Sequence, residues 1–175
     1  MMFTDLKQFL SSQMCLSCDG CCRFDSLNND WRPKVGAIEA DHLIQNKKLK
    51  APASRAGIID GGGYLPDKAC HGLFMCEFFN LEDTTCAIYH HRPFECRLYP
   101  FVLTKRLDKN AVSVHLTCPY IMKMKGSSEY DRYVSYLKDY FTRNDLLVFL
   151  QENPHLFGEY PGYESELEEV FPVCF

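Results

Sequence analysis

Apolar residues recur at helical spacing in several stretches of the chain. From Phe3 to Gln13, the residues Phe3, Leu6, Phe9 and Leu10 share one helical face. Thr4 suits the N-cap and Asp5 the first turn, so a short helix is expected to lead into the segment that follows. A second helix is expected over Ala37–Gln45, behind a Trp31-Arg32-Pro33 turn, with Ile38, Leu43 and Ile44 facing inward and Lys47, Lys48 and Lys50 marking a solvated exit. Further on, Tyr130, Tyr133, Val134, Leu137, Tyr140 and Phe141 repeat at i, i+3, i+4, i+7 behind Ser127, a natural cap. Asn144 is expected to cap another helix that stops before Pro154. The tyrosine stripe reads as core, packed against the middle of the chain, in preference to a binding surface.

Between these helices the pattern is that of strands and turns. Gly72–Phe79 is expected as a strand, Asn80–Thr85 as a polar turn and Cys86–Tyr89 as its return, a hairpin that would bring Cys76 and Cys86 together. Arg92-Pro93 looks like a helix start, with Pro93 at the first helical position, where its missing amide costs nothing. Cys96 then falls on the first turn, where free amides favour a thiolate, and Pro100 ends the turn. A second hairpin is expected from Phe101–Leu107 and Ala111–Leu116 around Asp108-Lys109-Asn110, with Cys118 just beyond it. Lys50–Gly63 has loop composition. Its Gly61-Gly62-Gly63 run is a weak phosphate cradle, because no Gly-Lys-Ser/Thr follows. The tail from His155 mixes Phe and Tyr with Glu164, Glu166, Glu168 and Glu169 and carries no readable period.

Composition narrows the class. A chain of 175 residues favours a single domain, 46% hydrophobic content excludes a disordered tail, and a net charge of -4 offers no basic field for a phosphate backbone. Nucleic acid is not expected as a partner. Neither is a membrane: no apolar run approaches the roughly 20 residues a span needs, and Asp5 and Lys7 interrupt the stretch where an export signal would lie. A cytoplasmic location is the expectation.

The ten cysteines change the picture most: Cys15, Cys18, Cys21, Cys22, Cys70, Cys76, Cys86, Cys96, Cys118 and Cys174. Four of them form the run CLSCDGCC, and Cys76, Cys86 and Cys96 follow at ten-residue steps. A disulfide framework needs an oxidising compartment that this N-terminus does not announce. Isolated buried thiols do not explain a run of this density. Metal ligation does, because thiolates two residues apart on a tight loop reach one ion or cluster without straining the backbone, and Gly20 leaves that loop free to curl. C-x2-C-x2-C matches the first three ligands of bacterial ferredoxins and favours iron–sulfur, while zinc stands as the alternative without the second C-x2-C of a zinc ribbon. No C-x3-C-x2-C spacing points to radical chemistry. Neighbouring Cys21 and Cys22 are expected to point apart, either toward two centres or with one left to pack or react.

The ordered set CLSCDGCC, CEFF and CAIYHHRPFECRLYP resembles the CxxCxxCC cysteine-cluster family of zinc- or iron-chelating domain proteins over roughly residues 15–118. The resemblance implies a shared metal-binding set of Cys15, Cys18, Cys21, Cys22, Cys76, Cys86 and Cys96, with Cys118 as an eighth member. Cys70 and Cys174 lie outside it. Some relatives in larger chains look like protein lysine methylases, though no S-adenosylmethionine loop is recognisable here. Arg97, beside Cys96, can offset thiolate charge and donate to sulfur, and Arg92 can do the same or pair with Glu95. His71, His90 and His91 are expected at the surface or around the centre, since thiols already suffice as ligands.

The expected fold is a small, irregular α+β domain over 1–175 nucleated by metal, with short hairpins in a core of about 15–118 and helices over about 127–153. The expected function is an iron–sulfur protein, most simply with a 4Fe–4S cluster, serving electron transfer or a protein partner's redox chemistry. A zinc-stabilised interaction module and a metal-dependent protein-modifying enzyme are the alternatives.

Overall fold

The computed structural model describes residues 3, 5–18, 20–26, 29–45, 64–66, 74–76, 78–80 and 82–175. The fold is α+β, with short helices and small antiparallel sheets and, among the described residues, no closed barrel. The chain divides into two compact units, Met1–Thr4 with Ser11–Cys96, and Asp5–Leu10 with Arg97–Phe175. No helix among the described residues is long and apolar enough to cross a membrane.

The first unit is built from very short pieces. Helix α1 (Ser12–Ser17) is capped by Ser11, whose side chain accepts from the Met14 amide, and a 3-10 turn, Gly20–Cys22, runs into β1 (Arg23–Phe24). The expected helix over Phe3–Gln13 is therefore displaced: residues 5–11 are non-helical, and the helix begins at Ser12 and carries Cys15 itself. An 11-residue helix is marginal by itself, and Phe3, Leu6, Phe9 and Leu10 are all buried without it. Helix α2 (Ala37–Gln45) has the expected bounds but a different face. Ala40 and Leu43 are buried together with Glu39, whereas Ile38 is 44% exposed.

Strand β2 (Tyr64–Pro66) and β1 flank β3 (Phe74–Cys76) in one antiparallel sheet, and β4 (Phe79–Asn80) pairs separately with β5 (Thr85–Cys86). The single strand expected over Gly72–Phe79 is thus two strands in two sheets, and Cys86 lies opposite Phe79, not Cys76. Cys76 and Cys86 still meet the same small core, formed by Val35, Ala40, Leu43, Phe78 and Ile88. A 3-10 helix, Tyr89–His91, precedes α3 (Phe94–Leu98), which begins one residue after Pro93. Lys47, Lys48, Lys50, the Gly61–Gly63 run, Cys70 and His71 lie outside the described residues.

The second unit has an ordinary core. Strands β6 (Phe101–Arg106), β7 (Lys109–His115) and β8 (Leu167–Val173) form an antiparallel sheet in that order. Strand β8 is the unreadable tail. Its pairing with β7 shifts register between Val112 and Ser113, and such a bulge erases the simple alternation of a strand. Helix α4 (Pro119–Met124) follows Cys118, α5 (Ser128–Tyr140) is capped by Ser127 as expected, and α6 (Asn144–Glu152) has its N-cap at Arg143, so Asn144 is its first helical residue and not the expected cap.

Tyr130, Tyr133, Leu137 and Tyr140 are buried, so the tyrosine stripe is core. It packs on Phe9 and Phe101, with ring centroids 4.9 Å apart for Phe9–Tyr133 and 5.3 Å for Phe101–Tyr133. The Tyr133 hydroxyl donates to the Lys7 carbonyl at 2.6 Å, and the Lys7 amide donates to the Tyr136 hydroxyl at 2.9 Å. These bonds satisfy the Lys7 backbone in place of helical ones.

The β6–β7 turn is tighter than the expected Asp108-Lys109-Asn110 loop. Arg106 pairs with Lys109, leaving Leu107 and Asp108 as the whole turn, with φ of 46° and 55°. A two-residue turn matching the strand twist requires both residues at positive φ, which costs a side-chain-bearing residue about 1–2 kcal/mol. Leu107 is 94% exposed and gains no packing in return. Replacing the pair by Asn-Gly (Leu107→Asn with Asp108→Gly) should raise the thermal midpoint of this unit by about 4 °C. Calorimetry showing no rise would mean that the turn carries no strain.

Candidate metal centre

The first unit gathers thiols from five elements. Cys15 comes from α1, Cys21 and Cys22 from the 3-10 turn, Cys76 and Cys86 from the ends of β3 and β5, and Cys96 from α3. All six are half-buried and none is in a disulfide. Cys18 caps the end of α1 and is exposed. Cys118 is buried in the second unit, at the start of α4, and Cys174 is exposed after β8.

The six thiols feel one another. Burial pushes the Cys96 thiol well above the usual range, and the neighbouring Cys76, Cys21 and Cys86 add to the shift. Burial likewise raises Cys15 and Cys86, each with a further push from Cys21. Cys21 and Cys22 do not diverge as expected. On the 3-10 turn the Cys22 thiol donates to the Cys21 sulfur, which lowers Cys21 and raises Cys22. Cys22 is also opposed by Cys76 and Cys96, whereas Cys21 acts on Cys15, Cys86 and Cys96.

One cation answers this crowding. Arg92 is buried, and its guanidinium donates to the Cys15 sulfur at 3.1 Å. It is aimed by its own turn: Nε donates to the Tyr89 carbonyl at 3.2 Å, and the guanidinium lies 3.8 Å from the centre of the Tyr89 ring. Its charge favours the thiolate forms of Cys15, Cys21, Cys86 and Cys96. The suggested pairing of Arg92 with Glu95 is replaced by another. Glu95 accepts from the Lys34 amide at 2.5 Å and faces Lys34 Nζ at 3.8 Å. Arg97 is buried in the last turn of α3.

Glu39 positions the Cys96 helix, and the apolar pattern gives it no role. Its carboxylate is 2% exposed and accepts from the Gly36 amide at 3.0 Å and the Phe94 amide at 2.6 Å. One bond closes the start of α2 and the other the start of α3, so the carboxylate links the two helices. The signal was present in the chain: a Glu three residues after Gly36 fits the return half of a capping box. Tyr89, three residues before Arg92, needed the 3-10 turn before its role could be seen.

As they stand, no three His, Cys, Asp or Glu side chains among the described residues converge closely enough to hold a metal ion. The donor set nevertheless fits a soft ion or an iron–sulfur cluster in kind. It offers several sulfurs in mutual electrostatic reach, partial burial, and a guanidinium already donating to sulfur.

Glu39→Ala should leave two buried amides without an acceptor and cost about 2–5 kcal/mol, while Glu39→Gln, which keeps an acceptor oxygen, should cost less. Thermal unfolding of the metal-loaded protein measures both, and equal losses would mean that Glu39 only fills space.

Comparison with curated proteins and with solved structures found no match. A family model does match, over residues 14–119, and its description reads "CxxCxxCC: Putative zinc- or iron-chelating domain". The matched span holds all six gathered thiols together with Cys18, Cys118 and Arg92, and it covers more than half of the chain. The protein belongs to the CxxCxxCC family, named for the chelation of zinc or iron.

Proposed function

We propose that the protein holds an iron–sulfur cluster on thiolates drawn from Cys15, Cys18, Cys21, Cys22, Cys76, Cys86 and Cys96, and serves in electron transfer or in a partner's redox chemistry. The observation that carries this reading is the Arg92–Cys15 contact at 3.1 Å. A buried guanidinium committed to a sulfur suits a centre that becomes more negative on reduction, and hydrogen bonds to sulfur are a main means of setting a cluster's potential. Zinc holds one charge throughout and makes no such demand. The C-x2-C-x2-C spacing supports the same choice.

Within this reading the chain's own residues have separate tasks. The mutual repulsion of the thiols is lifted when the bound group takes their negative charge, so binding releases protons and supplies folding energy to the first unit. Arg92 holds the charge of the site, the Tyr89 ring and carbonyl hold Arg92, and Glu39 holds α3. When bound, an iron–sulfur cluster supplies one-electron transfer at a potential tuned by its surroundings.

Purification without oxygen, followed by iron, sulfide and zinc analysis and visible spectroscopy, tests the assignment. A brown protein with iron and acid-labile sulfide in near-equal amounts is expected. A colourless protein with stoichiometric zinc would replace this reading by the zinc-stabilised module.

A second outcome bears on Arg92. In the iron-loaded protein, Arg92→Gln should shift the reduction potential downward, because the reduced state loses more from removal of the positive charge. Arg92→Lys should restore part of the shift, keeping the charge but not the planar fork. Protein-film voltammetry at matched iron content measures this, and an unchanged potential in Arg92→Gln would leave the guanidinium a packing role only.

A further inference from the structure

A second set of metal-ligating side chains lies outside the thiol group. His42, in the last turn of α2, and His91, at the end of the 3-10 helix Tyr89–His91, point ring edge to ring edge. His42 Nε2 and His91 Nδ1 are 3.3 Å apart, and the ring planes are inclined by 34° with centroids 5.5 Å apart. Both residues are half-buried.

The nitrogen separation suits two arrangements. A single proton can be shared between the rings, although 3.3 Å is beyond the usual 2.7–3.2 Å range of N–H donors. Alternatively the two lone pairs can point at one ion. Two nitrogens each about 2.0–2.1 Å from a tetrahedral zinc lie about 3.3–3.4 Å apart, the separation seen here.

The pair is also held in place. Leu43, next to His42, and Ile88, whose carbonyl accepts from the His91 amide at 2.7 Å, belong to the same buried cluster. Glu39 fixes the start of α2. The two imidazoles therefore meet through packing, without waiting for a ligand to gather them.

We propose that His42 and His91 form a two-nitrogen site for a borderline divalent ion, with Zn2+ as the reference case, distinct in donor type from the thiol centre. Imidazole suits such ions, whereas the thiols suit softer ones. No third His, Cys, Asp or Glu among the described residues completes a ligand group with the pair. As far as the described residues go, water or an exchangeable ligand can take the remaining positions, as in zinc sites that keep an open position. Such a site, placed on the same unit as the thiols, suits capture or hand-over of an ion.

The test uses the protein as isolated, with its thiol-bound metal in place. Equilibrium dialysis against Zn2+, followed by metal analysis, compares wild type with His42→Gln, His91→Gln and His90→Gln. Glutamine keeps a hydrogen-bonding side chain but is a poor ligand for zinc, so the variants separate ligation from a merely structural contact. Wild type and His90→Gln should each take up one further zinc per chain, and His42→Gln and His91→Gln should lose it while keeping the original metal content and circular dichroism.

The proposal is overturned if wild type takes up no further zinc, if His90→Gln loses it equally, or if the two pair variants retain it. Should either pair variant fail to fold, Co2+ added to the wild type decides. Weak visible bands without sulfur-to-cobalt charge transfer support the nitrogen pair, and strong near-ultraviolet charge transfer assigns the extra ion to thiols and overturns it. Because the readout is added zinc at constant original metal, this result is independent of whether the thiol centre holds iron or zinc.

Discussion

Negative charge gathered in a partly dry volume is the constraint from which the first unit is built. Six thiols come from five elements, and burial together with their action on one another pushes Cys96 and Cys22 well above the ordinary thiol range. Left alone, such a group stays protonated, and protonated thiols contribute little more than small apolar side chains do. Two things reverse this balance: a cation that cannot be neutralised, and a bound group that takes the sulfur charge. Arg92 is the first of these, and its guanidinium is fixed by the Tyr89 ring and carbonyl before any ligand arrives.

The surrounding structure shows how such short elements aim their sulfurs. Strands of two or three residues have little stability of their own, and the apolar cluster that Cys76 and Cys86 pack against has five buried members among the described residues. Polar bonds between elements do the aligning instead. Glu39 joins the starts of α2 and α3, and Lys34 and Glu95 tie the stretch before α2 to α3 from another side. Buried carboxylates of this kind are directional where apolar contacts are not, and the ligands of a metal centre need direction more than they need bulk.

Legibility in the chain follows the same division. Where the second unit depends on periodic apolar burial, the pattern gave α5, its Ser127 cap and the core role of the tyrosines. It missed β8, because a bulge at Val112 and Ser113 breaks the alternation, and it misplaced the β6–β7 turn, because Leu107 and Asp108 are unusual residues for positive φ. In the first unit the cysteine spacing identified the chemistry and the family, yet the strands around the thiols came out wrong. Cys76 and Cys86 are brought near each other by a shared core and not by a shared hairpin, and no two-residue periodicity reports that. The helix expected over Phe3–Gln13 failed for a related reason: Phe9 is buried among Phe101, Tyr120, Tyr130 and Tyr133, and tyrosine hydroxyls serve the Lys7 backbone.

The contrast between the units also bears on what metal loss does. The second unit buries Phe101, Leu103, Val112, Val114, Leu137, Leu146 and Leu150 almost completely, and nothing in that core needs a ligand. The first unit has strands of two or three residues, and it gathers six half-buried thiols whose charged forms repel. Metal binding is folding energy where no preformed apolar core replaces it. Gain and loss of metal are therefore felt by the residues that hold it, while the sheet β6–β7–β8 and helices α4 to α6 keep a source of stability of their own.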